Sequence, residues 1–210
     1  QILSLVVRDT AHDLSQVRRY DKDGRLSWSV DGSGAVVRTE YDGKTVKRTA
    51  YANRLDAAAL ATLAGGATPA PAVAAGRDVV TQQLFDATGR LVYSIDGVGA
   101  VQELRYDGSG NAIVRIAYAA AVNITQPLTL ASVAQQLATL AQPARDARLV
   151  SNYDGAGRLT YSADAQGAVT QYVYDKAGNL TRQIAYATAL ALADNAVLPG
   201  VAQSAADRIS

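Results

Sequence analysis

The chain has 210 residues, 49% of them hydrophobic and 19% charged, and this composition predicts a folded protein rather than a disordered one. Its 20 basic and 19 acidic side chains give a formal net charge of +1, so neither nucleic acid nor an anionic membrane surface is expected as a partner. No apolar run reaches the roughly 20 residues of a membrane span, no signal peptide is visible, and the absence of cysteine excludes disulfides and thiol catalysis. Because the chain starts with Gln1 and has no methionine, we expect it to be a piece of a longer protein.

In chain order, the sequence consists of three related units, each opened by an aspartate. The units begin at Asp13, Asp78 and Asp146, so their starts are almost evenly spaced. Self-similarity at a fixed period is the signature of a repeat architecture. We therefore predict repeat units at 13–77, 78–145 and 146–206. Residues 1–12 are interpreted as the end of a preceding unit or connector, and 207–210 as the start of a next one.

Within each unit the pattern Asp-x-x-Gly recurs between short segments. Asp is favoured at the first position of a type I turn and Gly at the fourth, where a left-handed backbone conformation follows, so the pattern predicts bulged hairpin turns. Eight such pairs occur: Asp21 with Gly24, Asp31 with Gly34, Asp86 with Gly89, Asp96 with Gly99, Asp107 with Gly110, Asp154 with Gly157, Asp164 with Gly167 and Asp175 with Gly178. The shorter Asp42-Gly43 predicts a two-residue turn of the primed kind.

The segments between these turns have the length and composition of short strands. RLSWSV (25–30), RLVYSI (90–95) and RLTYSA (158–163) alternate strictly, which places Leu26 and Val30 on one face together with Trp28. Each unit therefore predicts four antiparallel strands joined by three tight turns.

An Ala- and Leu-rich stretch follows the strands of each unit. Residues 55–64 and 130–141 favour helices, with Thr129 as the N-cap of the second. A short helix is marginal in water unless it packs an apolar face, so the helices are expected to bury Leu60, Leu63, Leu137 and Leu140. Residues 65–76 predict a loop, and the third stretch, 188–208, is a less regular helical candidate.

No residue of the repeat forms a pattern typical of catalysis or of metal binding. His12 is the only histidine and lies outside the repeat, so a triad or a histidine-ligated metal would lack partners. The aspartates sit where turn geometry explains them, and residues 21–24 resemble the start of a calcium loop without its later ligands. We predict no catalytic, cofactor-binding or metal-binding residue, and hence no enzyme.

One aromatic ring per unit occupies the same position: Trp28, Tyr93 and Tyr161. Recurrence at a fixed repeat position favours packing across strands. The alternative is that this aromatic row stacks on sugar rings and makes the chain a glycan-binding or adhesive surface module.

The heptad Y-D-x-x-G-R-L, as at 153–159, with a second D-x-x-G shortly after it, resembles the YD repeats of RHS proteins. That family includes bacterial polymorphic toxins, the C components of insecticidal toxin complexes and the teneurins. The resemblance covers roughly residues 13–186. It implies a long antiparallel sheet that spirals into a hollow shell, which in the toxins encloses a C-terminal effector. This chain differs by the Ala-rich insert in each of its units, and it shows neither the autoproteolytic aspartate site nor the plug of many family shells.

The expected fold class is mainly β: a solenoid-like or spiral antiparallel sheet of YD hairpins with one short helical insert per unit. The expected function is that of a non-enzymatic structural segment of a large YD-repeat protein, part of a shell or rod that encloses or displays a cargo. Its expected partners are neighbouring YD repeats of the parent chain, further copies joined end to end, and an enclosed effector or a surface glycan, with no cofactor. The parent is expected to be secreted or displayed on a bacterial cell surface.

Overall fold

The structure, a computed structural model, describes residues 16–190 and 208–209. The predictions for His12, for residues 1–12 and for most of the third insert lie outside these residues. The chain divides into two compact units, residues 1–83 and 84–210. The described residues form 13 strands and two helices, and none of these helices is long and apolar enough to cross a membrane.

The N-terminal unit is an antiparallel sheet whose strands follow their order in the chain. Its elements are β1 (Gln16–Tyr20), β2 (Leu26–Asp31), β3 (Val36–Asp42), β4 (Thr45–Ala50) and α1 (Ala57–Leu63). Each strand pairs with the next. The loop between β3 and β4 consists of Gly43 and Lys44, and only Gly43 has a positive φ, 55°, where a primed turn of type I′ requires two.

Strand β5 (Val79–Phe85) contains the boundary between the two units. The C-terminal unit continues with β6 (Leu91–Asp96), β7 (Val101–Tyr106), β8 (Ala112–Ala117), α2 (Leu130–Leu140), β9 (Ala147–Tyr153), β10 (Leu159–Asp164), β11 (Val169–Tyr174), β12 (Leu180–Ala185) and β13 (Arg208–Ile209). From β6 onward each strand pairs antiparallel with the next. The predicted fold class, mainly β with antiparallel hairpins and short helical inserts, is confirmed.

The first twelve strands fall into three sets of four, which we call set 1 (β1–β4), set 2 (β5–β8) and set 3 (β9–β12). The strict alternation of the second strand places one apolar residue per set directly opposite another on the third strand. These pairs are Val30 with Val36, Ile95 with Val101, and Ala163 with Val169, all at most 1% exposed. Each pair belongs to a separate apolar cluster, so each set has its own core.

The two helices are shorter than the stretches that predicted them. Helix α1 begins after Asp56, whose carboxylate accepts the N–H of Ala59, because Leu55 is drawn into the core of set 1. Helix α2 has the predicted N-cap Thr129, which exchanges hydrogen bonds with Ser132 in a capping box.

The burial predicted for four helix leucines is only half right. Leu63 and Leu137 are buried, with 2% and 4% of their surface exposed. Leu60 and Leu140 are half-buried, because each lies at the border of its cluster and packs against it from one side.

Candidate functional site

All eight Asp-x-x-Gly corners have one geometry, built by the aspartate side chain. Oδ1 of the aspartate accepts the backbone N–H groups two and four residues later, at 2.8–3.0 Å. The glycine N–H donates to the aspartate C=O, and every glycine has a φ between 75° and 90°. Only glycine adopts that conformation without strain, so the spacing Asp-x-x-Gly follows from the turn itself.

These hydrogen bonds stabilise the charged form of the carboxylates. The backbone N–H of Arg90 is the largest cause of a lowered pKa at Asp86, and Arg25 and Arg158 do the same for the pKa of Asp21 and of Asp154. At Asp107 and Asp175 the side-chain amides of Asn111 and Asn179 are the largest cause of a lowered pKa, and at Asp31 it is the hydroxyl of Ser33.

The rest of the heptad Y-D-x-x-G-R-L is explained by an arginine between an aspartate and a tyrosine. In each set the guanidinium of the corner arginine binds Oδ2 of the first aspartate and lies over the tyrosine ring of the third strand. The three groups are Asp21, Arg25 and Tyr41; Asp86, Arg90 and Tyr106; and Asp154, Arg158 and Tyr174, with guanidinium-to-ring distances of 4.4, 5.0 and 4.9 Å. Each tyrosine hydroxyl donates to the C=O of the leucine that follows the corner arginine, which is Leu26, Leu91 or Leu159.

The corners divide into two kinds that their sequences do not distinguish. At the five open corners, Gly24, Gly89, Gly110, Gly157 and Gly178, an added Cβ would meet nothing closer than 3.7 Å. At the three covered corners, Gly34, Gly99 and Gly167, it would collide with the carbonyl oxygen of Leu55, Val122 or Leu190. Each of these connector residues donates its own N–H to the C=O of the covered glycine at 2.9 Å. The connector is thus fastened to the second corner of every set.

The aspartate that opens each unit closes the preceding insert. Asp146 accepts the N–H of Ala119, before the insert, and that of Gln142, after it, each at 2.8 Å. Asp78 holds the first insert in the same way through Ala52 and Ala74. One carboxylate therefore joins the two ends of a long insert, which explains why an aspartate marks the start of each unit.

The rings of the aromatic row pack against the apolar clusters of their own sets. Trp28 stacks on Tyr51 with ring centroids 6.2 Å apart, and Tyr93 is only 7% exposed within the core of set 2. Tyr161 is half-buried and packs against the cluster that contains Tyr186. These positions place the rings in packing contacts within each set and give no continuous exposed row for a glycan.

A polar cavity in set 2 is the one feature of chemical interest that the sequence did not reveal. Glu103, 6% exposed, accepts hydrogen bonds from Arg105 at 2.6 and 3.2 Å and from the hydroxyl of Tyr118. Burial raises the pKa of Tyr118, and the bond to Glu103 adds to the effect. The network lines a cavity of about 400 Å³ beneath α2. Among the described residues, no group of three or more His, Cys, Asp or Glu side chains could hold a metal ion.

The repeat geometry agrees with comparisons to known proteins. Residues 153–189, which contain three corners of set 3, match the family RHS Repeat. The likeness to RHS repeats is confirmed. No curated protein matches this RHS-type chain.

Solved structures share the fold of the RHS-type chain. They include the crystal structures of TcdB2-TccC3-Cdc42 (TM-score 0.51, 17% identity), TcdB2-TccC3-TEV (TM-score 0.50, 18% identity) and TcdB2-TccC3 (TM-score 0.51, 17% identity). Each alignment covers 81% of this chain and 8% of the other, so the RHS-type chain corresponds to a small fraction of their length.

Proposed function

We propose that this chain is a non-catalytic structural segment of a longer YD-repeat protein, in which consecutive sets of hairpins build a wall that encloses or displays a cargo. The observation that supports this most strongly is the repetition of one complete set of contacts. Each set has the same arginine-tyrosine corner, the same covered corner and its own apolar core. A protein built from such sets can be lengthened by adding a set, as in other repeat proteins.

The residues that recur are those that shape the backbone. The aspartates bind backbone N–H groups and the glycines supply a left-handed conformation, so their repetition serves turn geometry and not a reaction. We infer that residues 13–77, 78–145 and 146–206 are the repeat units, each with a hairpin set and an insert that covers one face of the sheet. Neighbouring repeats of the parent chain would then be the principal partners of this segment.

The cargo part of the proposal comes from the resemblance. YD-repeat shells of toxins enclose an effector, and the structures that share this fold are crystal structures of TcdB2-TccC3 with 8% of their length aligned. By this reasoning the parent is secreted or displayed on a bacterial surface, and this segment contributes a strip of its wall. The packing of Trp28, Tyr93 and Tyr161 gives no support to the glycan-binding alternative.

The test is a deletion of one whole unit, residues 78–145, from the full-length parent. A chain of independent sets should still fold without it, because β1–β4 and β9–β12 keep their own cores. The enclosed effector should become accessible to an added protease, whereas in the intact parent it should be protected. Protection that is unchanged by the deletion, in a protein that folds normally, would contradict the role as a wall.

A further inference from the structure

The cavity of set 2 has one apolar wall and one polar wall. Helix α2 supplies the apolar wall, with small side chains on successive turns, and the sheet supplies the polar floor. The residues that line it are Tyr93, Glu103, Arg105, Ile116, Tyr118, Ala134, Leu137, Ala138, Ala141, Pro143, Asp146, Arg148, Asp164 and Ala165. Its volume of about 400 Å³ lies within the range of small-molecule sites, roughly 300–1,000 Å³.

Tyr93 presents a hydroxyl to this cavity without satisfying it. The side chain is 7% exposed and lies opposite Glu103 on the neighbouring strand. Among the described residues, no hydrogen bond reaches the Tyr93 hydroxyl, whereas the hydroxyl of Tyr118 donates to Glu103. A buried hydroxyl without a partner is costly, so a ligand that supplies the partner gains the corresponding free energy.

The charges of the lining residues leave an excess of one negative charge. Three carboxylates, Glu103, Asp146 and Asp164, face two guanidinium groups, Arg105 and Arg148. Arg105 neutralises Glu103 through two hydrogen bonds. Asp164 uses Oδ1 for the two backbone N–H groups of its turn, and no described side chain bonds to its Oδ2, unlike the carboxylates that bind a corner arginine or asparagine.

We propose that this cavity binds a small organic monocation: an ammonium group on a compact apolar body. The ammonium would be bound by Oδ2 of Asp164 and the oxygen of Tyr93, and the apolar body would lie against Leu137, Ala138 and Ala141. The binding would be an activity in addition to the structural role and independent of it.

Set 1 shows why the site belongs to set 2. At the position of Tyr93 set 1 has Trp28, whose larger ring stacks on Tyr51, and at the position of Glu103 it has Arg38, which lies 5.1 Å from the Trp28 ring. A tryptophan and a cation thus occupy the place where set 2 has an unsatisfied hydroxyl and a carboxylate.

The experiment is an NMR titration of the full, isotope-labelled chain with cyclohexylammonium, cyclohexanol and cyclohexanecarboxylate. The three probes share one ring and differ in charge. We expect saturable shift changes confined to the cavity for the ammonium, binding about tenfold weaker for the alcohol, and none for the carboxylate. Equal affinity for the alcohol, or no saturation by the ammonium up to about 20 mM, would overturn the proposal.

Two pairs of variants separate the site from the stability of the fold. Asp164→Asn keeps the oxygen that accepts both turn N–H groups but removes the charge, and we expect it to weaken ammonium binding about tenfold. Asp96→Asn makes the same change at the equivalent corner outside the cavity and should leave binding unchanged. Ala138→Trp should block binding by filling the cavity, and Gln135→Trp on an exposed position of α2 should not. Equal effects within either pair would refute the assignment.

Discussion

The covered corner of set 2 provides the sharpest test of how the connector is held. Gly99 and Gly110 both have a left-handed backbone, with φ of 86° and 89°, so alanine costs about 1 kcal/mol of conformational strain at either position. At Gly110 nothing lies within 4 Å of the added Cβ. At Gly99 the Cβ collides with the carbonyl oxygen of Val122 and lies 3.3 Å from its nitrogen.

The collision at Gly99 can be relieved only by moving the connector. That movement breaks the hydrogen bond from the N–H of Val122 to the C=O of Gly99, worth about 1 kcal/mol. It also displaces the side chain of Val122, 4% exposed, from the core of set 2, at a cost of about 2 kcal/mol. We therefore expect Gly99→Ala to lower the free energy of unfolding by about 4 kcal/mol, against about 1 kcal/mol for Gly110→Ala.

Urea unfolding followed by tyrosine fluorescence or circular dichroism measures both values. The two variants share a residue type, a turn type and a backbone conformation, and the contact with Val122 is what separates them. Equal losses of stability would refute the distinction between open and covered corners.

Three other perturbations act on buried or hydrogen-bonded side chains. Leu137→Asp should lower the free energy of unfolding by at least about 3 kcal/mol, because it buries an unpaired charge, whereas Ala131→Asp at an exposed position of α2 should change it little; similar losses would remove Leu137 from the core. Asp146→Asn leaves one of its two acceptor oxygens and should accelerate hydrogen exchange at the N–H of Ala119 or of Gln142, and unchanged exchange at both would contradict the closure of the insert. The folded-state pKa of Asp86 and of the other corner aspartates is lowered, so the stability they provide is complete above the ordinary aspartate pKa near about 3.9 and is lost as the pH falls below it. Urea midpoints should decrease from pH 5 to pH 3, less so in Asp86→Asn, and a flat profile would contradict this.

The sequence predicts the fold of this chain well because most of its signals are local. An Asp-x-x-Gly corner is completed by bonds between the aspartate and its own turn, so the pattern determines the structure. The alternation in 90–95 likewise places Ile95 in the core without reference to the rest of the chain.

The features that escape prediction depend on contacts distant in sequence. Gly99 and Gly110 occur in the same motif, and only the approach of Val122, a connector residue beyond β8, makes one of them a covered corner. Tyr93 aligns with Trp28, yet one opens on a cavity and the other stacks on Tyr51, because the residues opposite them carry opposite charges.

The site is accordingly less predictable than the fold. The network of Glu103, Arg105 and Tyr118 joins residues of a strand and a connector, and no local motif announces it. The sequence signal that could have found it is the replacement of the otherwise repeated pattern at 103, where set 1 has arginine and set 3 has glutamine.

The most direct measurement of the central claim is an electron cryo-microscopy reconstruction of the full-length parent protein. Our account predicts that β1–β12 appear as consecutive strands of a continuous wall, flanked by further hairpin sets, with the cargo on one side of it. A reconstruction in which this segment stands apart from any wall as a separate domain, with no hairpin set paired to it, would contradict the account.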